Sequence, residues 1–143
     1  MRTSPRSGCM LIAALPTAAG QARAYTRWAL RSWRLDVLID TAELLVSELV
    51  TNAVTATGTV TCAVRAGRRD GKPSIYLCLS AFAGTLLIEV WDRSDDPPDR
   101  RTASDDDENG RGLFLVQALS KDWGYESLHS GGKIVWCECP ILE

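Results

Sequence analysis

Apolar residues along the chain recur with two periods, and the change from one to the other divides it into elements. Residues 9–15 form a short apolar run that Pro16 ends, which reads as a strand. Thr17 is a residue type that caps free N–H groups and is suited to start a helix. From there Ala18, Ala22, Tyr25, Ala29 and Trp33 recur at spacings of three and four, predicting a helix to about Trp33 with one apolar stripe. Arg23, Arg27 and Arg31 form a basic stripe on another face, read first as solvated, with a partner-binding surface as the alternative. A longer helix is predicted from Asp36 to about Thr57. Leu38, Ala42, Leu45, Leu49 and Ala53 keep helical spacing, and Val46 and Val50 widen the apolar face, so much of this helix should be buried before Gly58 stops it.

The period then shortens to two. Residues 60–65, 74–82 and 85–91 read as strands, with Ala83-Gly84 short enough for a hairpin turn. Residues 92–109 carry Pro97, Pro98 and the self-repelling run Asp105-Asp106-Asp107-Glu108, and are expected to form a mobile loop of a length seldom kept without a function. Gly110-Arg111-Gly112 opens a short helix over residues 113–120, and two strands, about 122–129 and 133–139, flank the turn Ser130-Gly131-Gly132. Strands joined mostly by hairpins, with helices between them, predict an α+β two-layer sandwich: a mixed, mainly antiparallel sheet with helices packed on one face.

Composition narrows this picture. A chain of 143 residues is the size of one domain, and 45% hydrophobic with 24% charged residues excludes a disordered chain. A net charge of -2 gives no reason to expect direct nucleic-acid binding. Cys9, Cys62, Cys78, Cys137 and Cys139 are odd in number and contain no C-x-x-C pair, so reduced thiols of a cytoplasmic protein are expected. Cys137 and Cys139 with His129 make an imaginable metal site, but a fourth ligand is missing and buried strand thiols are the preferred reading. The basic start and short apolar run imitate a secretory signal, yet an amphipathic helix follows Pro16. Residues 1–8 are therefore read as a flexible tail and residues 9–143 as a single domain. No segment approaches the roughly 20 apolar residues of a membrane helix.

Three groups of residues carry candidate chemistry. Glu48 and Asn52 lie one helical turn apart and interrupt an apolar neighbourhood, where a hydrated magnesium ion with phosphate oxygens would satisfy them; a helix edge meeting solvent is the alternative. Asp92 ends the strand Ile88-Glu89-Val90-Trp91-Asp92 and is either a turn former or an acceptor for the exocyclic amino group of adenine. Gly110-Arg111-Gly112 at a helix start leaves backbone N–H groups open to an anion, aided by the helix dipole, and the preceding loop would serve as a lid.

In this order and spacing the three groups resemble the Bergerat-fold, histidine kinase-like ATPase superfamily. Residues 43–54 are similar to its N box and residues 89–94 to its G1 box. Residues 109–116, followed by Trp123-Gly124 and residues 131–136, are similar to its G2 region. In detail the chain looks most like the stand-alone actinobacterial ATP-binding regulators related to anti-sigma factor serine/threonine kinases. The resemblance implies ATP and Mg2+ as cofactors, with Asn52 as magnesium ligand and Glu48 as catalytic base. It implies Asp92 and Ser94 at the base, the amides of Gly110, Arg111 and Gly112 around the phosphates, and Leu113 beginning the helix beneath them.

The implied activity is that of a cytoplasmic transcription regulator that sequesters a sigma factor or phosphorylates a serine or threonine of an anti-anti-sigma-like antagonist, with a homodimer as an open option. The alternative is a non-catalytic, nucleotide-dependent protein-binding module. Three positions depart from the family pattern: Ser94 replaces a glycine, Ala56 a histidine, and Ile134 a threonine expected to help Asp92 hold the base. Residues 60–73 also run longer than the usual connection.

Overall fold

The computed structural model describes residues 6–64, 73–94 and 116–141. Strand β1 (Arg6–Ala13) leads into helix α1 (Ala18–Ser32), and a 3-10 turn (Asp36–Leu38) leads into helix α2 (Ile39–Val64). Strands β2 (Ser74–Phe82) and β3 (Thr85–Asp92) follow, residues 116–119 are helical, and β4 (Asp122–Ser127) and β5 (Lys133–Pro140) close the chain. The five strands lie in the order β1-β2-β3-β5-β4, and every neighbouring pair is antiparallel. This is the expected two-layer α+β sandwich. Leu86, Ile88 and Val90 of β3 alternate with half-buried residues, so one face of the sheet is sealed and the other is not.

The sealed face meets the helices. Ala18, Ala22 and Ala29 of α1 are buried, and Leu45, Val46, Leu49 and Val50 of α2 are at most 1% exposed. The stripe of α2 is the one its spacing predicts, because residues three and four apart share a helix face. Thr17 occupies the cap position of α1, but its side chain makes no capping hydrogen bond and its backbone is already helical. Arg27 forms a two-pronged ion pair with Glu43 (2.7 and 3.1 Å), and Arg23 donates to Ser47 Oγ at 2.9 Å. Two of the three stripe arginines therefore tie α1 to α2, and they are not a purely solvated row.

Three local expectations are corrected. Residues 6–8, expected in a flexible tail, open β1 and pair with Ala81, Ser80 and Leu79 of β2. Residues 60–64 continue α2 where a strand was expected. Val60, Thr61 and Val64 favour strands intrinsically, but extending an existing helix adds one hydrogen bond per residue ordered and avoids a new nucleus. Cys9 and Cys78 are joined as a disulfide, so the five thiols are not all free. The two residues face one another directly across β1 and β2, a proximity created by sheet register over 69 positions of sequence. The Ala83-Gly84 hairpin is as expected, with φ of 49° and 74°, the doubly positive turn that matches strand twist. Among the described residues no helix is long and apolar enough to cross a membrane.

Candidate functional site

Strand β3 organises the site, because α2 packs across it while β5 pairs along it. On α2, Glu48 and Asn52 are half-buried at the border of the fully buried stripe of Leu45, Leu49 and Ala53. Their spacing of four turns both side chains the same way. Thr51 and Thr55, three residues beyond Glu48 and Asn52, flank that pair on its solvent side and are exposed. A carboxylate and an amide oxygen on one helix face are a donor set that suits a hydrated magnesium ion, so the residues present fit that group.

At the end of β3, Asp92 is 1% exposed and Ser94 is 2% exposed. Ser94 N–H donates to Asp92 Oδ1 at 2.8 Å, a local turn in which an aspartate caps the backbone two residues on. Lys133 Nζ donates to the same oxygen at 3.0 Å, and the two side chains are 3% and 1% exposed. A buried ion pair thus engages the carboxylate that was expected to receive an adenine amino group. The carboxylate is oriented, but it is already engaged by a cation.

Sheet register explains why Lys133 sits there. Asp92 pairs with Lys133 across β3 and β5, and alternation places Lys133, Val135, Cys137 and Cys139 on the helix-facing side. Ile134 pairs with Trp91 and points to the other face. The residue beside Asp92 is therefore Lys133 and not Ile134, a correction of one position that reverses the side of the sheet. The signal was present in sequence: Lys133 is two residues before Val135 and four before Cys137, so it shares their buried face. Gly132 makes the close approach feasible. Its φ is 84°, and a Cβ there would run into the Asp92 backbone oxygen and the Trp91 indole.

Gly110, Arg111, Gly112 and Leu113 lie outside the described residues, as does the loop 95–109. Of the site residues expected from sequence, the structure brings Asp92 and Ser94 into contact and sets Glu48 and Asn52 on one face of the helix above β3. On the uncovered face, Glu89 lies opposite Cys78 and Trp136, and burial with the nearby Glu126 charge raises its pKa above the ordinary carboxylate value. Cys137, on the helix-facing side, is pushed up to about 12 by burial, then by Cys139 and Glu138, so it is a protonated core thiol at neutral pH. Burial raises Cys139 as well.

Residues 12–138 match the histidine kinase-like ATPase domain family. Among solved structures, the RsbU and RsbW domains of Rv1364c from Mycobacterium tuberculosis are similar, with a TM-score of 0.51 and 17% sequence identity. That similarity covers 94% of this chain and 32% of the other, so this chain spans about a third of the length of that structure and the likeness is one of fold. No curated protein matches the chain.

Proposed function

The chain belongs to the histidine kinase-like ATPase domain family, and from that premise we propose that it is a magnesium-ATP-binding regulator of the anti-sigma factor kinase type. The observation that carries this reading is the pairing of Glu48 and Asn52 on one half-buried helix face above β3, the strand that ends in buried Asp92. Bound magnesium ATP would supply a transferable phosphoryl group. Asn52 would ligate the metal, and Glu48 would take the proton from the attacking hydroxyl of a serine or threonine. Asp92 and Ser94 would orient the base, the amides of Gly110, Arg111 and Gly112 would hold the phosphates, and Leu113 would open the helix under them. The partner in this reading is a cytoplasmic sigma factor or an anti-anti-sigma-like antagonist protein. The similarity in fold to a structure containing an RsbW domain supports that choice.

The engagement of Asp92 by Lys133 favours a second reading, in which nucleotide changes the surface presented to a partner without turnover. Both are tested by melting the protein with and without magnesium ATP. The expected outcome is a raised melting temperature that Asn52→Ala abolishes, because ligand binding to the native state stabilises it by mass action. An Asn52→Ala variant that responds like wild type would sink the nucleotide site. Glu48→Ala should retain the shift and lose phosphoryl transfer to the partner. If the wild-type protein binds nucleotide and transfers nothing, the binding-module reading replaces the kinase.

A further inference from the structure

The proposed base-holding aspartate shares its buried position with a lysine, and the chemistry of recognition changes with it. A carboxylate alone only accepts hydrogen bonds. Facing a purine it accepts from a 6-amino group, as in adenine, and opposes a 6-carbonyl oxygen, leaving two acceptors together out of water. Sites whose buried polar groups are left unmatched in this way discriminate by large factors, on the order of 10⁴. Lys133 Nζ has three protons, and one is directed to Asp92 Oδ1 at 3.0 Å. Both side chains are almost fully buried and separating such a pair is strongly unfavourable, so a base that reaches Asp92 would meet the carboxylate acceptor and the ammonium donor together. An amino group with an adjacent ring nitrogen satisfies that couple, and so does a carbonyl with an adjacent ring N–H.

Building on the nucleotide-binding reading proposed above, we infer that Lys133 is a specificity-determining residue of the base site and that the Asp92–Lys133 pair admits 6-oxopurine nucleotides alongside adenine nucleotides. Gly132 holds the lysine in place, since its backbone packs against Asp92 with no room for a Cβ. The register that sets Lys133 opposite Asp92 makes this a built feature of the sheet.

The test is the ratio of dissociation constants for magnesium ATP and magnesium inosine triphosphate, which differ only at the 6-position and its adjacent nitrogen. It is measured calorimetrically on wild-type protein and on Lys133→Thr. Wild type should bind the two within about fivefold of each other, and Lys133→Thr should shift the ratio toward ATP by about tenfold or more. A wild-type preference beyond about tenfold in either direction overturns the inference, and so does an unchanged ratio in the variant. If Lys133→Thr does not fold, the wild-type ratio decides by itself. Binding of neither nucleotide removes the nucleotide reading and this inference with it, whereas tight, selective ATP binding removes only the inference.

Discussion

Replacing Lys133 with methionine keeps most of the side-chain volume and deletes one charge of the buried pair with Asp92. At 3.0 Å, two unit charges attract by about 5.5 kcal/mol at an effective dielectric of about 20. Desolvating each ion costs several kcal/mol, so the intact pair contributes little net stability. Deletion of one partner is different, because the desolvation of the other is then uncompensated. In Lys133→Met, Asp92 keeps the Ser94 N–H but loses the Lys133 charge while only 1% exposed. The expected loss is about 3–5 kcal/mol at neutral pH. For a domain of this size that lowers the melting temperature by about 10 °C. Urea titrations of wild type, Lys133→Met, Asp92→Asn and the double variant measure it, and the double variant should recover about 2 kcal/mol or more of the summed losses. A cost for Lys133→Met below about 1 kcal/mol, the size of an exposed ion pair, would refute the claim that this pair is buried and coupled.

Two further outcomes follow from single side chains. Glu89 holds its proton more tightly when folded, because of its burial and then the Glu126 charge, so stability falls as pH rises from the ordinary 4.5 through its raised folded value. Glu89→Gln should therefore stabilise at neutral pH by a few tenths of a kcal/mol after solvent screening, and equally stable proteins at neutral pH would contradict the assignment. Thr57 Oγ1 is the buried side-chain polar atom without a hydrogen-bond partner among the described residues. The isosteric Thr57→Val should raise stability by about 1–2 kcal/mol in urea unfolding, and a loss would mean that the hydroxyl is satisfied.

The helices and the helical half of the site were legible in the chain because their signals are local. Leu45, Leu49 and Ala53 mark the buried face of α2, and four-residue spacing alone puts Glu48 and Asn52 side by side at its border. Residues 60–64 were misread because Val60, Thr61 and Val64 carry strand propensity, a weak preference that an adjoining helix overrides. Cys9 and Cys78 were read as separate thiols because nothing within either strand states what it pairs with.

The sequence by itself determined the two-layer architecture, the stripe of α2 and the order of the three motifs, since each depends on periodicity within one segment. Only the tertiary structure decided what surrounds Asp92. Its contact with Lys133 spans 41 positions and depends on the register of β3 against β5. A slip of one residue would have offered Ile134 in its place, because strand side chains alternate between faces. The acidic end of the site is thus a property of sheet pairing, and the helical end a property of the helix alone.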